Sequence, residues 1–335
     1  MAKKTALVTG ITGQDGSYLA EFLLKKGYEV SGIVRKTSHE DYANIGHIQE
    51  ELKLYQGDLL DPISLREIIQ KVNPDEVYNL ASQSHPSESF KQPIHTAEIT
   101  AIGAHRVLDA TLDVNPKSKF YQASSSEMFG WVKEIPQNEE TPLNPANPYA
   151  ASKLYAYAMT RIYRKSFNMF ATNGILFNHE SPRRHLGFVT QKVTYAAACA
   201  KLGIKDSDHL NEEGEPIVRN GKVALGNLDA KRDWGFAGDY VEAMWMIMQY
   251  KEPEDFVVAT GETHTIKELC EEAFNYVGLN WNDYVVVDKR FIRPTETGPL
   301  VGDASKAKKL LGWTPKTTFK DLVHLMVDSQ LARLK

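Results

Sequence analysis

Cysteine is scarce in this sequence: among 335 residues only Cys199 and Cys270 carry thiols, far apart and outside any CxxC spacing. That excludes a cysteine-based metal framework and fits a reducing compartment. Charge of one sign is lacking as well. The 39 Lys and Arg against 43 Asp and Glu leave a net charge of -4, with a pI near 6.2. Neither nucleic acid nor an anionic membrane is therefore an expected partner. No apolar run is long enough to span a bilayer. The most apolar helix-like run, Ala243–Met248, is far too short, and its methionine stripe reads as core filler. The N-terminal MAKKTALVTG turns glycine-rich before a signal-peptide apolar region could be completed. The expected location is cytoplasmic. Internal repeats and low-complexity tracts are absent.

What remains is an ordinary globular composition, 42% hydrophobic and 24% charged, on a chain long enough for a large core and two domains. The first half alternates β-rich runs with helical patterns. This predicts an α/β fold, a doubly wound parallel sheet of the Rossmann type. Thr5–Thr9 reads as a buried strand, and Ser17–Lys26 sets Leu19, Phe22 and Leu23 on one helical face, with Gly27 as the C-cap. YEVSGIVR and LKLYQGDL read as the second and third strands. Asp61-Pro62 opens a helix carrying Leu65, Ile68, Ile69 and Val72 at helical spacing. DEVYNLA and KFYQASS make strands four and five.

The second half is less regular. Helices are expected over Asp239–Gln249, Thr265–Val277 and Phe319–Leu331, strands at DFVVAT and DYVVVD, and an exposed excursion or hairpin over Lys205–Lys222. The expected division is a cofactor-binding domain of residues 1–174 plus about 225–262, with a smaller, interwoven substrate domain of 175–224 and 263–335.

Thr9-Gly-Ile-Thr-Gly-Gln-Asp-Gly16 follows the first strand and opens the first helix. Gly10, Gly13 and Gly16 permit a tight turn, close approach of backbone to phosphate, and close helix–strand packing. The helix N-terminus would meet a pyrophosphate with unpaired N–H groups. Arg35-Lys36 ends the second strand with no acid in the first positions. A guanidinium there suits the 2′-phosphate of NADP, the alternative being a solvated surface pair.

Gln122–Gly130, QASSSEMFG, sets three hydroxyls beside one carboxylate at the carboxyl end of a strand, where doubly wound sheets bind ligands. That argues against a flexible linker, and the absence of a G-x-S-x-G elbow argues against a serine-nucleophile hydrolase. NPYAASKLYAYAMTRIYRKSF reads as a helix, so Tyr149 and Lys153, four residues apart, share a face. A cation beside a phenol favours phenolate, making Tyr149 a candidate acid/base for a hydroxyl proton while hydride leaves the same carbon. His179, Glu180 and His185 lack HExxH spacing, so no metal is expected. Gly214…Gly221-Lys222-Val223 imitates a phosphate loop, but six residues separate its glycines and no Ser or Thr follows.

TGxxGxxG, QASSSE and YAASK resemble the extended short-chain dehydrogenase/reductase superfamily. GITGQDGSYLAEFLL, GDL, YNLASQSH, NGILFNHESPRR, LGNLDAKRDW, DYVEAMW and RPTE look like its GDP-mannose 4,6-dehydratase family, a similarity running from about Thr5 to Trp313. The resemblance implies an NADP-dependent lyase making a 4-keto-6-deoxy sugar from a GDP-sugar. It implies catalytic roles for Ser125, Ser126, Glu127, Tyr149 and Lys153. Cofactor contacts would come from Gly10, Thr12, Gly13, Gln14, Asp15, Gly16 and Arg35, from Asp58 and Leu59 beside the adenine, and from Leu80, Ala81, Ser82, Gln83 and Ser84 on the nicotinamide side. Tyr149, Lys153, His179 and Arg184 would also meet the cofactor. The nucleotide sugar would be held by Ser84, Asn178, Lys192, Arg232, Arg293 and Glu296, since a diphosphate wants cationic donors and a guanine edge a carboxylate. For Arg232-Asp233 the alternative is a simple salt bridge.

Several positions depart from the family. Ser125 replaces a threonine, keeping the hydroxyl and losing a methyl that limits rotamers. KTSHEDYANIGHI is shorter than the family's Arg/Ser-rich arm, which leaves dimer or tetramer open above an expected homodimer. The relatives dimerise through segments matching Thr96–Leu112 and Tyr149–Phe167. His95 stands where a tyrosine is usual, PANPY lacks an arginine before the tyrosine, and the Lys205–Lys222 excursion is longer than usual. The alternatives are a GDP-heptose dehydratase, a nucleotide-sugar 4-epimerase, against which Glu127 argues, and a non-catalytic NADP sensor, against which Tyr149 and Lys153 argue.

Overall fold

The computed structural model describes residues 3–36, 42–292 and 298–335. Its frame is a seven-stranded, all-parallel sheet. In chain order the strands are β1 (Thr5–Thr9), β2 (Glu29–Val34), β3 (Lys53–Gln56), β4 (Glu76–Asn79), β5 (Lys119–Ser125), β6 (Ala171–Leu176) and a last strand, Phe256–Val258. Across the sheet they run Phe256–Val258, β6, β5, β4, β1, β2, β3. β1 thus separates strands wound in opposite directions, which opens a crevice at the carboxyl ends of β1 and β4.

The covering helices are α1 (Gln14–Lys25), α2 (Pro62–Val72), α3 (Pro86–Lys91), α4 (Pro93–Ala97), α5 (Ala104–Val114), α6 (Pro148–Ser166), α7 (Val189–Leu202) and α8 (Ala237–Gln249). α2 begins as its sequence requires: the Asp61 carboxylate accepts from the N–H groups of Ile63 and Ser64, and Pro62 occupies the first turn, where no donor is needed. α4 and α5 are joined by a π-helical turn, Glu98–Gly103, inside the single helix expected over Thr96–Leu112. The methionines of α8 do fill core: Met244 and Met248 are buried against β-sheet residues.

Three elements differ from expectation. β6 shows no strand signal because Gly174 interrupts its apolar run, yet the strand is buried throughout. Glycine is needed there: a Cβ at Gly174 would lie 2.1 Å from the Tyr121 hydroxyl of β5. α7 lacks an amphipathic stripe because every residue from Thr190 to Cys199 is buried, and a helix covered all round has no polar face to betray it. α1 also begins earlier than Ser17, at Gln14.

A second core gathers around α7. Helices Ile266–Tyr276 and Phe319–Leu334 pack on it, with Val218, Val223, Leu225 and Trp234 between. The Lys205–Lys222 excursion is a hairpin: Leu210 bridges Pro216, and Val218–Arg219 pairs antiparallel with Lys222–Leu225. Between the two cores, Asn178–Glu180, which continues from β6, pairs in parallel with Trp234–Phe236, which leads into α8. Among the described residues no helix is long and apolar enough to cross a membrane.

Candidate active site

The glycine turn sits where its spacing predicts. Gly10 has φ +69°, in the left-handed region, and a Cβ there would stand 3.0 Å from the Ala81 backbone. A Cβ on Gly16 would come within 2.2 Å of the Gly10 carbonyl oxygen, so helix and strand close only over glycine. α1 has no side-chain cap at its N-terminus, which leaves its first N–H groups to a ligand.

These groups form one end of a cavity of about 600 Å³ beyond the carboxyl ends of the strands. Its walls bring together every described candidate. From the turn come Gly10, Thr12, Gly13, Gln14, Asp15 and Gly16, with exposed Arg35 after β2, and Asp58 and Leu59 after β3. Leu80, Ala81, Ser82, Gln83 and Ser84 follow β4, and Ser125, Ser126 and Glu127 stand at the end of β5. α6 supplies Tyr149 and Lys153, and Asn178, His179, Arg184, Lys192 and Arg232 line the far side. Arg293 and Glu296 lie outside the described residues.

The residues fit a dinucleotide. The uncapped helix start and the buried Gln83 Oε1, which has no hydrogen-bond partner among the described residues, offer unmet polar groups to a ligand. Among the described residues no group of three His, Cys, Asp or Glu side chains could hold a metal ion.

Tyr149, Lys153, Ser126 and Glu127 are all buried. The Lys153 Nζ stands 5.7 Å from the centre of the Tyr149 ring and donates to the Ala123 carbonyl at 2.8 Å. Burial dominates both groups. It pushes the Tyr149 phenol up to about 12, against a hydrogen bond with Ser125 that lowers it, and it pulls the Lys153 ammonium down to about 8. Burial thus works against the phenolate that a neighbouring cation favours.

Glu127 follows Ser125, whose hydroxyl accepts the Glu127 N–H at 3.2 Å. Asn147 then holds the carboxylate. Its amide donates to Glu127 Oε2 at 2.9 Å, while its carbonyl caps α6 by accepting the Ala150 N–H at 2.7 Å. Sequence reasoning passed over Asn147, although an asparagine immediately before Pro148 is a helix-start signal. Arg232 and Asp233 do not form a salt bridge with each other: Asp233 accepts from Thr260, Gly261 and Gly302.

The model of the family described as GDP-mannose 4,6 dehydratase matches residues 7–326. The chain belongs to the GDP-mannose 4,6-dehydratase family. GDP-mannose 4,6 dehydratase 1 of Arabidopsis thaliana is 51% identical over 345 residues, covering 99% of this chain and 91% of its own. The GDP-mannose 4,6 dehydratase of Homo sapiens is 46% identical over 360 residues, covering 99% and 93%. Among solved structures, RMD from Pseudomonas aeruginosa complexed with NADPH superposes with a TM-score of 0.79 at 24% identity, covering 99% of this chain and 100% of that one. The dTDP-glucose 4,6-dehydratase of Bacillus anthracis in complex with NAD gives 0.81 at 22%, covering 97% and 96%. At such identities the structures speak for the fold.

In this GDP-mannose 4,6-dehydratase fold the glycine turn is tied to the opposite wall. His179 Nε2 meets Asp15 Oδ2 at 2.8 Å, its Nδ1 meets the Phe177 carbonyl at 2.7 Å, and its ring stacks on Tyr240. Burial pushes the Asp15 carboxyl up, but the charge and hydrogen bond of His179, with Gln14 and Arg184, bring it down to about 2. His179 is raised: burial lowers it and Asp15 more than offsets that. A carboxylate whose folded pKa is depressed contributes stability above its unfolded pKa and loses it as pH falls through the folded one. Asp15→Asn should therefore cost about 2 kcal/mol at neutral pH. In urea unfolding the difference from wild type should shrink as pH falls from 3.8 toward about 2.

Proposed function

We propose that this chain dehydrates GDP-mannose to GDP-4-keto-6-deoxymannose through an internal redox cycle dependent on NADP. The observation carrying this reading is the meeting of two separate pieces of apparatus in one cavity: the Tyr149–Lys153 pair of α6, and the Glu127 carboxylate held by Asn147. A dehydrogenase needs only the first. A carboxylate is what permits elimination.

Held by the Gly10–Gly16 turn and Arg35, bound NADP⁺ would supply the redox chemistry, as acceptor and then donor of the hydride exchanged between carbons 4 and 6 of the hexose. Tyr149 takes the proton of the carbon 4 hydroxyl, with Ser125 hydrogen-bonded to the same oxygen. The resulting ketone acidifies carbon 5, whose proton Glu127 removes. Ser126 relays that proton to the carbon 6 hydroxyl, which leaves as water. The proton held on Tyr149 balances carbon 5 at the end of the cycle. Lys153 keeps positive charge beside the phenol.

Arg35 favours the 2′-phosphate of NADP, since Arg35-Lys36 follow β2 with no acid in the first positions to hold a ribose diol. Lys192 and Arg232 are the cations for the diphosphate. For the division of residues 1–174 plus about 225–262 for cofactor and 175–224 with 263–335 for the nucleotide sugar, the support is that Phe256–Val258 joins the main sheet while α7 anchors the other core. Ala307 and Trp313 nevertheless pack into the first core, and Leu225 and Trp234 into the second. A homodimer through α5 and α6 is supported by Tyr155, Ile162 and Phe167, exposed apolar side chains on and just after α6.

The test is incubation with GDP-mannose and substoichiometric NADP⁺. The expected product is a 4-keto sugar without net NADPH, with NADP⁺ binding the apoprotein more tightly than NAD⁺. Stoichiometric NADPH would make the chain an ordinary dehydrogenase. Equal affinities would remove the role of Arg35.

A further inference from the structure

The Lys205–Lys222 hairpin has a tip of three glutamates, and each reaches a different cation. Glu212 pairs with Lys192 of α7 at 2.5 Å, Glu213 approaches Lys91 at the end of α3 at 3.9 Å, and Glu215 meets Arg290 at 3.0 Å. The tip is itself well formed. Asn211 donates its N–H to the Glu215 carbonyl, and its side chain accepts the N–H groups of Glu213 and Glu215. The hairpin therefore reaches from the α7 side of the cavity to α3, which follows the Leu80–Ser84 wall.

Only one of these pairs stands in the cavity. Lys192 and Glu212 both line it, and the Lys192 side chain is only 8% exposed against 31% for Glu212. Lys192 also lies 5.1 Å from the centre of the Phe291 ring. It projects from the first turn of α7, whose N-terminus has no side-chain cap, so its neighbourhood favours anions. A cation so nearly buried needs a counter-charge, and Glu212 provides it from within the chain.

We propose that Glu212 is a specificity-determining residue for the nucleotide sugar: it holds Lys192 as an internal counter-ion that the ligand's diphosphate must displace. This rests on Lys192 being a diphosphate ligand. The Glu212 side chain then swings off Lys192 when the nucleotide seats, with Glu213 and Glu215 retaining their own partners. Binding carries the cost of breaking one internal ion pair, so ligands presenting two phosphate charges compete for Lys192 better than ligands presenting one.

The experiment compares Glu212→Gln, Glu213→Gln and Lys192→Met with wild type, measuring the Kd of GDP by calorimetry, and KM and kcat with GDP-mannose. Glu212→Gln should tighten GDP binding by about tenfold and lower KM, with the change falling on these and not on kcat. Glu213→Gln should leave Kd for GDP where it was, and Lys192→Met should weaken it. Unchanged or weaker binding by Glu212→Gln, alongside weakened binding by Lys192→Met, overturns the counter-ion and keeps the diphosphate assignment. Equal tightening by Glu213→Gln overturns it as well, since the effect would then belong to the hairpin's total charge. Unaltered GDP affinity in Lys192→Met sinks the assignment beneath it.

Discussion

Replacing Tyr149 with phenylalanine is expected to lower kcat by about a thousandfold or more, while GDP and NADP⁺ binding stay near wild type. The ring remains and only one oxygen is lost. That oxygen is hydrogen-bonded to Ser125 and sits in a buried pocket that lifts its pKa to about 12. A group so shifted keeps its proton at neutral pH until something favours the phenolate, and Lys153, held on the Ala123 carbonyl, is the side chain positioned beside the ring to do so. Phenylalanine can neither take the proton from the carbon 4 hydroxyl nor give one back. Because oxidation opens the cycle, no 4-keto species and no transient reduced cofactor should accumulate. A Tyr149→Phe enzyme retaining a tenth of wild-type turnover would show that another group carries the proton.

Glu127→Gln should behave differently. Glutamine preserves shape and still offers an oxygen to the Asn147 amide, which now bonds Glu127 Oε2 at 2.9 Å. It cannot serve as a base, so elimination should fall by about 10²–10³-fold. Oxidation at carbon 4 should survive, because Tyr149 and Lys153 are untouched. The expected signature is reduced cofactor accumulating on the enzyme, seen by its absorbance, without loss of water from the hexose. Deuterium at carbon 5 should no longer exchange with solvent. Full dehydration by this variant would take Glu127 out of the chemistry. Asn147→Ala, which frees the same carboxylate without removing it, should give a smaller loss.

The contrast between these two variants reflects what could be read before any coordinates. The glycine turn, the serine run and the Tyr149–Lys153 spacing were legible because each is a local pattern tied to a strand end or a helix face. Their convergence on one cavity follows from the βα alternation, which sends every such strand end to the same edge. Less visible were elements whose signal is erased by packing. β6 carries Gly174 because the Tyr121 hydroxyl occupies the space of a side chain. α7 is buried along Thr190–Cys199 and so presents no periodicity.

Adjacency of Lys153 to Tyr149 was evident, but the depth of burial that lifts the phenol belongs to the tertiary structure. Asn147 was overlooked for a related reason. Its capping role is local, whereas its grip on Glu127 crosses twenty residues of chain.

The short parallel pair formed by Asn178–Glu180 and Trp234–Phe236 acts as a splint where the chain passes between its two cores. Two single strands would let those bodies twist and slide independently. Laced by backbone hydrogen bonds, they resist shear and favour bending about one axis, so any closing of the cleft should resemble a book folding at its spine.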